Sequence, residues 1–134
     1  MVELTENVRT FLADVHLAVI ATVNRDGSPH QAALWYELRG ESIIMNTGVA
    51  SKKVRNLRRD PRASVCVAAL DPARHVTLDG SVTFDADHVL EDLTSLASRY
   101  AGKEAGPGIA ANIAKIPHVT LKLSIDRVRT FGKI

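Results

Sequence analysis

Apolar and polar residues alternate along much of the chain in the two-residue period of β-strands. The alternation is clearest between His75 and Phe84, where Val76, Leu78 and Val82 share one phase. Five further segments are rich in β-branched or alternating apolar residues and too short for confident helices. The pattern predicts six strands, at 17–23, 29–38, 42–46, 62–70, 75–84 and from 118 onward.

Turn residues join these strands closely. Asp26-Gly27 is a strong hairpin signal between the first two strands. The apolar phase of the last strand breaks at 126–128, and a β-bulge there explains the break. Tight turns between the first three strands leave no room for the crossovers of a parallel sheet. We therefore predict a mainly β fold, an antiparallel six-stranded barrel with peripheral helices, as a single domain over 1–134.

Helical spacing is found between the strands. Thr5 is placed to cap a first helix, and Ser51 to cap a second over 52–59 that ends at Asp60-Pro61. A third helix is expected from the cap at 85–87 to about Tyr100. The glycine-rich stretch 101–108 is expected to be a mobile loop, followed by a short helical piece before Pro117.

Composition excludes several classes of protein. The 134 residues are 46% hydrophobic and 24% charged, which is typical of a globular chain. One cysteine argues against a disulfide-stapled secreted fold. The N-terminus lacks a basic, then apolar, signal sequence, and no apolar run reaches the roughly 20 residues of a membrane span. We expect a cytoplasmic protein without a membrane partner.

Charge is concentrated rather than large. Net charge is only +2, yet six basic residues fall between Lys52 and Arg62. Lys52 and Lys53 lie in the first turn of the helix after Ser51, where a cation is unfavourable unless an anion is bound. A phosphate would accept the free N–H groups of that turn and neutralise the lysines. The alternative is that these are solvated surface charges.

Other side chains are positioned to line a ligand site. Asn46, Thr47 and Ser51 precede the basic helix and add polar groups there. Trp35 shares a strand face with Ala33, a small residue that leaves space for a flat ring, and Thr22 is adjacent if the first hairpin pairs as predicted. A core or dimer-interface position for Trp35 is the alternative.

Templates for metal and nucleophilic chemistry are missing from the sequence. The five histidines are widely scattered, and no cysteine cluster, Rossmann fingerprint or P-loop is found. We predict no metal site and identify no catalytic residue. A redox cofactor remains compatible, because its ring carries the reaction and the protein positions it.

Three motifs together resemble one family. They are DGSP at 26–29, WY at 35–36 and SKKVRNLRRDPR at 51–62. The chain resembles the pyridoxamine 5′-phosphate oxidase-like FMN-binding split-barrel family, and within it the F420-dependent (deazaflavin) oxidoreductases. The resemblance covers nearly the whole chain. The tail at 131–134 lacks the family's arginine-rich substrate signature, so vitamin B6 oxidation is not predicted.

The resemblance implies a homodimeric split barrel with cofactor sites at the subunit interface. It implies that Lys53 binds the cofactor phosphate. It further implies that the cofactor is lined by Thr22, Ala33, Trp35, Asn46, Thr47 and Ser51, and that a partner turn near Arg74 and His75 completes the pocket.

Several functions are compatible with these residues. The first is an oxidoreductase that transfers a hydride between reduced F420 and a small organic substrate, with Lys52, Arg55 and Arg59 facing the acidic glutamate tail of F420. The second is the same fold with FMN. A haem-binding module is less favoured. A nucleic-acid-binding module is also less favoured, because no aromatic residue interrupts the basic run at 52–62.

Overall fold

The computed structural model describes residues 2–134 and contains seven strands and four helices over that range. The helices are α1 (Glu6–Ala13), α2 (Lys52–Arg59), α3 (Val89–Ala101) and α4 (Gly106–Ile113). The strands are β1 (Ala18–Val23), β2 (Pro29–Leu34), β3 (Glu37–Arg39), β4 (Ser42–Gly48), β5 (Arg62–Ala69), β6 (Arg74–Asp85) and β7 (His118–Phe131).

The strands form one antiparallel sheet in the order β2-β1-β5-β6-β7-β4-β3. Within the described chain, β2 and β3 stay at the two edges of this sheet and do not pair with each other. The sheet is therefore not closed, as expected of a split barrel. This confirms the predicted mainly β, antiparallel class.

The predicted number of six strands is wrong, because the second predicted strand, at 29–38, is divided into two strands, β2 and β3. β2 ends at Leu34, and Trp35 and Tyr36 lie outside the ladder before β3 begins. The Tyr100 hydroxyl accepts from the Tyr36 backbone N–H at 3.1 Å, and the buried Tyr36 hydroxyl donates to the Leu12 carbonyl at 2.8 Å. The Tyr100 hydroxyl thus satisfies the Tyr36 backbone N–H, which a continuous strand would pair with a neighbour.

The last strand has the predicted bulge. In the β6–β7 ladder Asp79 pairs with Arg127 but Gly80 pairs with Ile125, so Asp126 is the extra residue. The extra residue restores the phase, and Val128 packs against the core. Gly80 is required at this point, since a Cβ there would lie 1.9 Å from the Ser124 carbonyl oxygen.

Two apolar clusters support the fold. The main core fills the inner face of the sheet and includes Phe11 and Leu12 of α1 and Val54 and Leu57 of α2. A smaller cluster joins α3 to α4, with Trp35 packed against it. No helix in residues 2–134 has the length and apolar character of a membrane span.

The region between α3 and α4 corrects another expectation. α3 begins at Val89 and continues to Ala101, and α4 begins at Gly106, so only residues 102–105 of the expected loop at 101–108 lie outside the helices. Gly106 is buried against Ser98, where a Cβ would meet the serine side chain at 2.2 Å. The glycine marks a close helix contact rather than flexibility.

Candidate functional site

The start of α2 leaves hydrogen-bond donors uncapped. Ser51 has the extended backbone of an N-cap, but its side chain makes no cap hydrogen bond to the helix. The Thr47 hydroxyl is instead 3.4 Å from the Ser51 hydroxyl. The prediction that the Ser51 side chain caps this helix is therefore wrong. The first-turn N–H groups of α2 keep their capacity to bind an anion, at the positive end of the helix dipole.

Lys53 places a cation in this region. Its side chain is partly buried, and that burial lowers the pKa of the lysine below its ordinary value. No carboxylate in residues 2–134 forms an ion pair with Lys53. A desolvated cation without a counter-charge is costly, and a phosphate at the adjacent helix start would remove that cost.

Lys52 faces a different feature, an open groove beside the β1–β2 hairpin. This basic groove has a volume of about 920 Å³. It is lined by Asn24, Arg25, Asp26, Ser28, Lys52, Arg55, Asn56, Arg58 and Arg59. Five cations against one carboxylate make the groove strongly positive, and the three residues predicted to face an acidic tail, Lys52, Arg55 and Arg59, all lie along it.

A second cavity brings together three of the predicted lining residues. Ala33, Trp35 and Asn46 all line this cleft, which has a volume of about 310 Å³. Its other walls are Leu17, Leu34, Leu93, Leu96, Ile113 and His118. Trp35 stacks on Tyr100, with ring centroids 5.1 Å apart and planes 9° from parallel. The cleft is largely apolar, and a stacked aromatic pair forms its tryptophan side.

Besides His118, Asn46 is the polar residue of the cleft wall. Its Nδ2 donates to the Thr120 hydroxyl at 3.1 Å, whereas its Oδ1 is buried and has no donor among residues 2–134. An orphaned buried acceptor fits a ligand that carries an N–H group into the cleft. A flat ring that carries an N–H group, such as that of a flavin or deazaflavin, meets this description, whereas Lys53, Ser51 and Thr47 do not line the cleft.

Comparison with known proteins matches this architecture. The family model described as pyridoxamine 5′-phosphate oxidase matches residues 4–132. The chain belongs to the pyridoxamine 5′-phosphate oxidase family. A curated relative, the F420H(2)-dependent biliverdin reductase of Mycobacterium tuberculosis, is 24% identical over 127 residues, which cover 93% of this chain and 86% of that protein.

Solved structures of this family share the fold. A conserved hypothetical protein from Mycobacterium tuberculosis superposes with a TM-score of 0.82 at 26% identity, covering 98% of this chain and 86% of that one. A structure described as an F420 reductase superposes with a TM-score of 0.80 at 23% identity, covering 94% and 98%. The superposition extends over nearly the full length in each case.

The structure does not place Thr22 among the residues that line the cleft. It pairs with His30 in the β1–β2 ladder, and Val19 is the residue opposite Ala33. Thr22 lies on the core side, 2% exposed, and its hydroxyl accepts from Asn56 Nδ2 at 3.1 Å. The predicted adjacency to Trp35 is wrong, because Thr22 and Ala33 are of opposite phase on paired strands. Thr22 instead anchors α2 to β1.

Trp35 itself reaches the cleft by an unexpected route. It was predicted on the second strand, but it lies in the two-residue link between β2 and β3. Arg74 and His75, the predicted partner contribution, begin β6, where His75 stacks on Phe131 at 5.1 Å between ring centroids. Their role toward a second subunit stays a prediction.

Sequence reasoning missed the polar residues behind Asn46. Thr120 donates its hydroxyl to Asp92 Oδ2 at 2.8 Å, and Arg39 donates to Asp92 Oδ1 at 2.8 Å. Asp92 is three residues after Val89 and four before Leu96, within the apolar stripe of α3. That position was a usable signal for a buried carboxylate.

Over residues 2–134, no group of three or more His, Cys, Asp or Glu side chains is arranged to hold a metal ion.

Proposed function

We propose that this chain is an F420-dependent oxidoreductase that transfers a hydride between the reduced deazaflavin and a small organic substrate. The observation that carries the proposal is Lys53, a partly buried lysine without a carboxylate partner in the described chain, beside an uncapped helix start. A phosphate group supplies the missing counter-charge. The 24% identical relative named as F420H(2)-dependent supports the same cofactor.

The basic groove favours F420 over FMN. Both cofactors carry a phosphate, but only F420 continues into an acidic glutamate tail. A groove with five cations and one carboxylate, which includes Lys52 from the first turn of α2, suits that tail. FMN has no group that would occupy the groove, and FMN is accordingly the second candidate for the same site.

Each part of the site has a separate role in this proposal. The deazaflavin ring supplies the hydride chemistry when bound. Lys53 and the first turn of α2 hold the phosphate, with Ser51 and Thr47 beside them. Trp35 forms a flat wall for the ring, Ala33 leaves space for it, and Asn46 offers it a hydrogen-bond acceptor. The apolar walls exclude water from the reacting face.

We further propose that the working form is a cytoplasmic homodimer. Leu17 lines the cleft and is 56% exposed, and Ile116, two residues before the cleft residue His118, is 66% exposed. Val49, 40% exposed, bonds through its backbone N–H to Pro117 in the same region. Exposed apolar side chains grouped around a site are typical of a surface that a partner covers.

Titration of the purified protein with F420 and with FMN tests the proposal. Cofactor fluorescence gives each affinity, and sedimentation gives the oligomeric state. We expect F420 to bind more tightly than FMN, and bound reduced F420 to be oxidised to F420 as it passes a hydride to an electron-poor substrate. Tighter binding of FMN would reverse the order of the two cofactors, and failure to bind either would refute the proposal.

A further inference from the structure

A chain of hydrogen bonds runs from Arg39 at the end of β3, through Asp92 of α3 and Thr120 of β7, to Asn46 in the cleft wall, and its polarity is fixed at every step. Arg39 carries donors only, and it donates to Asp92 Oδ1 at 2.8 Å. Asp92 is 5% exposed and, as a carboxylate, accepts only. The hydroxyl of Thr120, 2.8 Å from Asp92 Oδ2, must therefore donate its single proton to Asp92.

This polarity determines how the Asn46 amide is turned. With its proton donated to Asp92, the Thr120 oxygen can only accept, so the Asn46 atom 3.1 Å away must be the Nδ2 group. The two ends of an amide are otherwise hard to distinguish, and here the network assigns them. The Asn46 oxygen is left as the orphaned acceptor of a side chain that lines the cleft.

We propose that Asp92 is a positioning residue that acts through Thr120 to fix Asn46 as an acceptor, so that the cleft selects ligands presenting an N–H donor. The class of ligand edge is a cyclic imide, an N–H between two carbonyls, as in flavin and deazaflavin rings. The choice of ring rests on the proposed function, whereas the acceptor polarity rests on the hydrogen bonds alone.

Asp92→Asn reverses the polarity without changing the size of the side chain. Its new amide can donate to the Thr120 oxygen, which frees the Thr120 proton for Asn46 Oδ1. The Asn46 amide then turns its NH₂ group to the cleft, and the site presents a donor. Thr120→Val removes the relay altogether and keeps the shape of the side chain.

The probes are FMN and deazaflavin 5′-phosphate, each with its N3-methyl derivative, which keeps the phosphate and the ring but lacks the imide donor. Fluorescence titration gives the affinity of each. We expect the natural protein to bind the N–H form about ten- to a hundredfold more tightly, the value of one buried hydrogen bond. This ratio should fall toward one in Asp92→Asn, where the amide is reversed, and should fall by a smaller factor in Thr120→Val, where the amide is free to turn either way.

Matched controls separate positioning from general damage. Asp87→Asn and Thr83→Val make the same chemical changes at exposed positions outside the cleft and should keep the natural ratio. A purely structural role for Asp92 would weaken both members of each pair equally and leave the ratio unchanged. Asn46→Ala provides a variant that keeps Asp92 and Arg39 intact if Asp92→Asn fails to fold, and its ratio should also approach one.

The outcomes distinguish this inference from the proposed function. Tight binding with an unchanged ratio in Asn46→Ala would overturn the acceptor role, and an unchanged ratio in Asp92→Asn would overturn the positioning role of Asp92, while the cofactor assignment stands in both cases. Binding of neither FMN, F420 nor the deazaflavin phosphate would refute the proposed function and, with it, the imide as the selected edge.

Discussion

Lys53 determines how the site handles charge. Its ammonium group is partly desolvated and has no carboxylate partner in residues 2–134. Lys53→Ala should weaken binding of F420 and of FMN alike by about 1.5–3 kcal/mol, the value of a hydrogen bond to a charged group. Fluorescence titration measures the loss. Lys133→Ala, near the C-terminus, is a control that should bind as the natural protein does, and an unchanged affinity in Lys53→Ala would remove Lys53 from the site.

The same residue predicts a pH dependence. Burial holds the pKa of Lys53 below the ordinary lysine value, so the free protein loses this charge at a lower pH than an exposed lysine would. Because the charged form binds phosphate, affinity should be full at neutral pH and decline as pH rises through that lowered pKa. Lys53→Arg stays charged throughout this range and should flatten the decline. Parallel declines in both proteins would show that another group is responsible.

At the level of elements, α2 divides its cations between two surfaces. Lys52, Arg55 and Arg59 lie on the basic groove, away from Lys53. Replacing all three by glutamine should weaken F420 and reduce the salt dependence of its binding, because fewer counterions are exchanged. FMN should change much less, since it lacks the tail. Titrations of both cofactors at two salt concentrations measure the difference, and equal losses would mean that the groove does not discriminate between them.

Strands β6 and β7 depend on the bulge beside Gly80. A methyl group at Gly80 would meet the backbone of Ser124 and Ile125, which belong to a paired strand and have little room to move. Gly80→Ala should destabilise the protein by about 1–3 kcal/mol, as overpacking of a tight site does. Thermal unfolding measures the effect. Gly108→Ala, where a Cβ would meet nothing within 4 Å, should melt close to the natural protein.

At the scale of the whole molecule, the sequence predicts strands, turns and bulges better than it predicts which distant residues come into contact. Periodicity located the antiparallel strands, and the lost phase at Asp126 located the bulge. The break at Trp35 was missed because the Tyr36 N–H that it frees donates to the Tyr100 hydroxyl, a partner distant in sequence. The prediction placed Thr22 next to Ala33 because the sequence does not specify which residues of β1 and β2 pair with each other. Asp92 and Thr120 meet only once α3 covers the sheet.

The two residues between β2 and β3 join the opposite margins of an otherwise open sheet. Three peptide steps separate Leu34 from Glu37, so the Cα atoms at the end of β2 and the start of β3 stay within about 11 Å of each other however the rest of the molecule moves. Trp35 sits on this tether and lines the cleft. The cleft therefore cannot widen at its Trp35 corner, and a ligand that lies against Trp35 has to fit the separation set there.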